Sequence, residues 1–145
     1  MKCWRRLEIW SMRDDVVFNK LAVIERCLRR VAEDYQDQPH RLENFTVQDA
    51  IILNVQRACE AAIDLAMHVV AQRRLGIPQD ARSAFDLLHR DGLIDADLSR
   101  RMKAMVGFRN IAVHDYQTMQ VVILQRILAE RLGDLTEFGQ RVLAL

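Results

Sequence analysis

Residues 46–76, TVQDAIILNVQRACEAAIDLAMHVVAQRRLG, decide the fold class of this 145-residue chain. Apolar side chains recur there at spacings of three and four, the period of one buried helix face. Thr46 is a suitable N-cap with Asp49 in the capping-box position, and Gly76 followed by Pro78 marks the helix end. The stretch therefore predicts one long helix, whose buried face carries Ile52, Val55, Cys59, Ile63, Ala66 and Val70.

Upstream, apolar residues from Val17 to Tyr35 form a second stripe, which predicts a helix over residues 13–35. Residues 1–11 do not share this pattern. We therefore expect residues 12–145 to form a single domain, which suits the chain length. Either Met12 is the natural start or residues 1–11 are a loosely held N-terminal extension.

Downstream, caps and periodicity predict three further helices. Asp80 is expected to cap a short helix over residues 82–90 that ends at Gly92, and Asp95 is expected to cap the next helix. Asp115 is the expected cap of a single long final helix. The chain is thus predicted to be all-α, an antiparallel bundle of four long helices and one short helix.

Composition agrees with this fold class and limits the functional classes. Five glycines and two prolines are few for the length, which favours long helices over sheets. The formal net charge of +1 gives no overall field that attracts nucleic acid. Nucleic-acid binding would therefore require a local basic cleft or oligomerisation.

Cysteines and hydropathy indicate the compartment. Cys3, Cys27 and Cys59 include no C-x-x-C pair, so we expect reduced thiols, with Cys27 and Cys59 as small core residues. No apolar run is long enough to span a membrane, and residues 1–11 contain no signal-peptide core. A cytoplasmic location is expected.

Reactive chemistry is concentrated in residues 109–116, RNIAVHDY. Five residues along a continuous helix rotate by about 500°, which would place Arg109 and His114 on different faces. If the helix ends near Ala112 or Val113, His114 and Tyr116 can fold back toward the guanidinium. Asp115, as the next cap, favours such a break.

Each residue of this stretch also has an ordinary structural interpretation. Arg109 lies in line with the apolar stripe of its helix, where an arginine commonly pairs with a buried carboxylate, and Glu60 or Asp64 could supply one. A histidine near a helix end is commonly a cap or a dipole partner. A tyrosine at a junction usually packs its ring and hydrogen-bonds its hydroxyl.

The spacing of Arg109, His114 and Tyr116 matches R-x-x-x-x-H-x-Y, and the chain resembles the HepT toxins (DUF86-type) of the HEPN superfamily of helical ribonucleases. The similarity covers about residues 12–140 and includes segments 45–49, 56–61, 75–78 and 105–108. The resemblance implies a HEPN-like fold and the toxin of a type VII toxin–antitoxin pair. It also implies a homodimeric endoribonuclease that needs no metal or other cofactor.

The resemblance further implies residue roles. His114 would deprotonate the ribose 2′-hydroxyl or protonate the leaving 5′-oxygen, and Arg109 would stabilise charge on phosphorus. Asn110 would bind phosphate or orient the histidine. Glu60 and Asp64, on one polar stripe of the long helix, are candidates to support the site. No carboxylate cluster or histidine spacing suggests a metal site.

Partners follow from the same resemblance. The antitoxin would be a minimal nucleotidyltransferase (MntA-like) that uses ATP to attach AMP to Tyr116, so that added negative charge repels RNA. In a homodimer the two motifs would share one cleft, for which Arg100, Arg101 and Lys103 are RNA-binding candidates. The stripe of Met102, Met105 and Val106 would then pack against the second copy as well as the core. The alternative function is a non-catalytic helical subunit that binds substrate or nucleotide for a nucleotidyltransferase.

Overall fold

Residues 2–145 form six α-helices and no strand, which confirms the all-α prediction. The computed structural model describes the backbone of residues 2–145 and the side chains of residues 15–145. The helices are α1 (Lys2–Tyr35), α2 (Phe45–Gln72), α3 (Ala81–Arg90), α4 (Ala96–His114), α5 (Val121–Glu130) and α6 (Leu132–Leu143). Two 3₁₀ turns, Pro39–Glu43 and Tyr116–Thr118, lie in the connections.

The central helix is α2, against which α1, α3, α4 and α6 pack. Ala58 and Ala62 are fully buried, and such small side chains allow neighbouring helices to approach closely. Because α2 is covered on several sides, its buried residues extend beyond one stripe. The six residues predicted for its inner face are all buried, which confirms that prediction.

The ends of α2 differ from the prediction. Asn44, not Thr46, is the N-cap, and its side chain accepts a hydrogen bond from the Val47 amide at 3.2 Å. Asparagine is at least as good a cap as threonine, so the helix begins earlier and Asp49 takes no part in a capping box. At the other end, Arg74 adopts a left-handed φ of 53°, which closes the helix before Gly76.

The caps of the next two helices are as predicted. The Asp80 side chain accepts a hydrogen bond from the Ser83 amide at 2.8 Å, and Ser83 Oγ accepts one from the Asp80 amide. The Asp95 side chain accepts one from the Leu98 amide at 2.7 Å. Gly92 follows α3 with φ 78°, the left-handed conformation that glycine adopts without strain.

The single long final helix was predicted wrongly, because the segment forms α5 and α6 with a break at Arg131. Gly133 lies in the first turn of α6, and glycine has a low helix propensity. The apolar stripe nevertheless continues across the break, since Leu124 in α5 and Leu135 in α6 are both fully buried. Periodicity alone therefore does not reveal the break.

At the N-terminal end, α1 starts before the predicted residue 13. The packing expected of residues 1–11 and the environment of Cys3 lie outside the described side chains. Cys27 and Cys59 are buried at 3% and 2% exposure, which confirms them as core residues. Within the described part of the chain, no helix combines the length and apolar character needed to cross a membrane.

Candidate active site

The RNIAVHDY stretch begins in α4 and ends in the turn that follows it. No glycine or proline lies between Arg109 and Tyr116, and α4 continues through His114. Asp115 is its C-cap, with the Asp115 amide donating to the Ile111 carbonyl at 2.9 Å. The predicted break near Ala112 or Val113 is therefore wrong. The predicted N-cap role of Asp115 is also wrong, because α5 starts only after Gln120.

Because α4 is continuous, Arg109 and His114 project from different faces of one helix. Arg109 is half-buried and His114 is exposed. Among residues 15–145, no hydrogen bond joins the two side chains. A single chain thus does not bring the arginine and the histidine together, contrary to the predicted fold-back.

The Arg109 side chain lies against α2 beside Cys59. Burial raises the pKa of the Cys59 thiol to about 12, while the Arg109 charge lowers it and the Glu60 charge raises it further. Arg109 Nε is buried and has no hydrogen-bond partner among residues 15–145. A buried donor without a partner is costly, so this guanidinium has hydrogen-bonding capacity that a bound ligand could use.

The two acidic residues of the polar stripe make other contacts. Glu60 accepts a hydrogen bond from Gln56 Nε2 at 3.2 Å. Asp64 forms an ion pair with Lys20 Nζ at 3.0 Å. The predicted pairing of Arg109 with one of these carboxylates is therefore not formed within the described chain.

The motif tyrosine is held by a residue from α2. Tyr116 lies in the 3₁₀ turn and its hydroxyl donates a hydrogen bond to Asp49 Oδ1. Thr118 Oγ1 donates to the Asp115 carbonyl at 2.8 Å, which fixes the turn. Partial burial raises the pKa of Tyr116 to about 12, and the hydrogen bond and charge of Asp49 act in the same direction. The phenol is thus neutral near physiological pH.

This role of Asp49 is not evident from the sequence pattern, where the residue suits a capping box. The contact joins residues 67 positions apart, so no local spacing signals it. The spacing indicates only that Asp49 shares a face of α2 with Gln56 and Glu60, which it precedes by seven and eleven residues.

The three RNA-binding candidates of α4 all have carboxylate partners. Arg101 bonds to Asp97, Asp134 and Glu137, with its Nη1 at 2.6 Å from Asp134. Arg100 also pairs with Asp97, and Lys103 Nζ lies 2.8 Å from Asp86. These cations are matched within the chain and do not form the open basic surface that the sequence suggested.

A groove of about 620 Å³ separates α4 from α5, and Asn110 lines it. Val122 at the start of α5 is 67% exposed beside this groove. Met102, Met105 and Val106 are buried in the core of their own chain, and Met105 also lines this groove, so their packing against a second copy stays a prediction. Within residues 15–145, no group of three or more histidine, cysteine or acidic side chains is placed to hold a metal ion.

The sequence profile of the family described as ribonuclease HepT-like matches residues 21–142, most of the chain. The chain belongs to the HepT-like family. The mRNA nuclease HepT of Shewanella oneidensis is 46% identical over 125 residues, which are 86% of this chain and 94% of the relative.

Solved structures of HepT-like proteins have the same fold. The tri-AMPylated HEPN toxin of Shewanella oneidensis in complex with MNT antitoxin superposes with a TM-score of 0.86 at 44% identity, covering 90% of this chain and 98% of that one. A toxin–antitoxin structure with AMP-PNP gives a TM-score of 0.84 at 44% identity, covering 88% and 98%. The HEPN-like fold expected from the resemblance is thereby confirmed.

In this HepT-like chain, Asp49→Asn is expected to lower the Tyr116 pKa from about 12 toward the ordinary value, because the carboxylate charge that disfavours phenolate is removed. Phenolate absorbance measured against pH gives the midpoint. The chain has two tyrosines, so Tyr116→Phe identifies which titration belongs to Tyr116. Asp37→Asn, which removes an exposed carboxylate elsewhere, should leave the midpoint in place. An unchanged midpoint in Asp49→Asn would contradict the contact.

Proposed function

We propose that this protein is the toxin of a toxin–antitoxin pair and cleaves RNA by attack of a ribose 2′-hydroxyl on the adjacent phosphate, without a metal ion. The observation that best supports this is the half-buried Arg109 side chain beside Cys59 of α2, whose Nε has no hydrogen-bond partner among residues 15–145. The planar fork of guanidinium donors suits the extra negative charge of a pentacoordinate phosphorus. The family membership and the named relative nuclease support the same reaction.

In this proposal His114 moves the proton, removing it from the 2′-hydroxyl or delivering it to the leaving 5′-oxygen. Its exposure at the end of α4 leaves the imidazole accessible to a substrate. Asn110, one turn earlier, contributes a neutral donor for phosphate. Glu60 and Asp64 are supporting residues that shape the charge around α2, not direct partners of the arginine.

The proposed active form is a homodimer. In one chain Arg109 and His114 point from different faces, so a second copy is required to complete a site that contains both groups. The exposed apolar start of α5 and the groove beside Asn110 provide a surface next to the motif for such a copy. We further propose that cleavage requires no metal ion and takes place in the cytoplasm.

The proposed control is AMPylation of Tyr116 by a minimal nucleotidyltransferase antitoxin, with ATP as the donor. The complexes of the solved relatives, one tri-AMPylated and one with AMP-PNP, support this partner. Tyr116 is 40% exposed and lies two residues after His114. Phosphate attached there would bring negative charge to the entry of the site and repel RNA.

Expression without the antitoxin tests the ribonuclease. Wild type should stop growth and degrade cellular RNA, whereas Arg109→Ala and His114→Ala should do neither at equal protein level. Equal growth and intact RNA in all three strains would reject the enzyme and favour a non-catalytic subunit of a nucleotidyltransferase complex.

Intact mass tests the control by modification. After incubation with the nucleotidyltransferase and ATP, the mass should rise by whole AMP units, and Tyr116→Phe should show no increase. Tyr35→Phe is the matched control, because it removes the other tyrosine and should be modified like wild type. An AMP increase that persists in Tyr116→Phe would place the modification elsewhere.

A further inference from the structure

A groove of about 460 Å³ runs between α1 and α2, and three arginines line it: Arg26 and Arg30 from α1 and Arg57 from α2. None of the three forms an ion pair or a hydrogen bond with another residue in the range 15–145. They therefore differ from Arg100 and Arg101 of α4, which are matched by carboxylates.

The charges of the three arginines all act on one buried thiol of the groove lining. Cys27 also lines the groove and is 3% exposed. Burial raises the pKa of the Cys27 thiol, and the charges of Arg26, Arg57 and Arg30 each lower it. Three cations from two helices are thus close enough to influence the same buried sulfur atom.

The other charged residues of the groove do not neutralise this cluster. Lys20 and Asp64 pair with each other at 3.0 Å, and Glu60 is the remaining carboxylate of the lining among residues 15–145. Arg26 and Arg30 are four residues apart on α1, a spacing at which like charges repel on a helix. The groove therefore has an excess of positive charge that an anion would relieve.

The chemistry of the lining favours phosphate. Arginine presents its donors as a planar fork that matches a phosphate group in bidentate fashion. A positively charged groove that follows the backbone is also how proteins bind single-stranded nucleic acid without reading its sequence. Asn54 is buried at 7% exposure in the same lining and donates a hydrogen bond to the Ala50 carbonyl of its own helix.

The groove lies close to the proposed catalytic arginine. Arg57 and Glu60 line the groove, while Cys59 between them lies beside Arg109. Arg109 therefore lies beside the same turn of α2 that contributes Arg57 and Glu60 to the groove. A strand held at Arg109 could continue along α2 toward this groove.

We infer that this groove binds the sugar–phosphate backbone of the RNA substrate outside the cleaved bond, through Arg26, Arg30 and Arg57. The inference rests on the proposed ribonuclease function. The near-zero net charge of the chain conceals this basic surface. We place the surface in the α1–α2 groove, and not at Arg100, Arg101 and Lys103 of α4.

Binding of a labelled single-stranded RNA with 2′-O-methyl groups, which lacks the attacking hydroxyl, tests the inference in the full chain. The variant Arg26→Ala/Arg30→Ala/Arg57→Ala should bind roughly tenfold more weakly or worse at low salt, with the slope of log K against log salt smaller by about 2, since each single-strand phosphate contact contributes about 0.7. The control Arg29→Ala/Arg73→Ala/Arg90→Ala removes the same charge at exposed positions outside the groove and should keep the wild-type slope.

Equal affinity and slope for the two triple variants would overturn the inference. So would unchanged RNA binding together with lost binding of the nucleotidyltransferase, which would make the groove a protein-docking surface. The test is independent of turnover. If the protein binds RNA through the groove but never cuts it, the proposed function is rejected and the groove assignment stands. If the protein cuts RNA but the groove variant binds RNA as wild type does, the groove assignment is rejected and the proposed function stands.

Discussion

Replacing His114 with alanine is expected to lower the rate constant of RNA cleavage by a factor of about 10²–10⁴, the usual contribution of a general acid or base. Arg109→Ala should lower it by about 10²–10³, as expected for loss of a donor that stabilises transition-state charge. The effects should be far from additive in the double variant, because both groups serve one transition state.

Single-turnover cleavage of a defined RNA by purified protein measures these rate constants. His89→Ala is the matched control, since His89 is also exposed in the last turn of a helix, α3. Addition of a chelator should leave the wild-type rate unchanged. A His114→Ala rate equal to that of His89→Ala would reject His114 as a catalytic residue. A chelator-sensitive rate would reject cleavage without metal.

Replacing Arg101 with alanine is expected to destabilise the fold by about 3–5 kcal/mol, the usual cost of leaving one member of a buried ion pair without its partner. The Arg101 side chain is 18% exposed and joins α4 to α6 through Asp134, whose side chain is 7% exposed. Hydrogen bonds to Glu137 and Asp134 also raise the pKa of Arg101. Without the guanidinium, the Asp134 carboxylate would remain buried and unpaired.

Urea unfolding followed by circular dichroism measures this loss. Arg100→Ala is the matched control, because Arg100 is 70% exposed and makes a surface pair with Asp97, so its removal should change stability little. Adding Asp134→Asn to Arg101→Ala should restore part of the stability, since it removes the buried charge. A variant Arg101→Ala as stable as Arg100→Ala would show that this ion-pair network does not hold α4 to α6.

The helices were predictable from the sequence where one periodic stripe and a strong cap act together. The inner face of α2 and the caps Asp80 and Asp95 are of this kind, because each depends on residues within a few positions. The break in the C-terminal segment was not predictable, because the apolar period continues across Arg131. Periodicity reports which side chains are buried and does not report where the backbone turns.

The family was predictable from the residue types of the candidate site, but the arrangement of those residues was not. The spacing of Arg109, His114 and Tyr116 identified the family, yet it did not show that α4 continues through His114. The contact of Tyr116 with Asp49 depends on tertiary packing between distant segments, as do the carboxylate partners of Arg101. Such contacts have no local spacing that a single sequence could reveal.

The hydrogen bond from Tyr116 to Asp49 has a consequence for how a modified toxin would behave. An AMP group on the hydroxyl replaces the donated hydrogen with a phosphodiester, whose negative charge would face the Asp49 carboxylate. The turn at Tyr116–Thr118 could then no longer dock against α2, and the tyrosine would point outward, away from the protein. Modification would thus free the turn from α2 and leave the modified side chain exposed to solvent, so that one transfer would change both the charge and the shape of the surface beside His114.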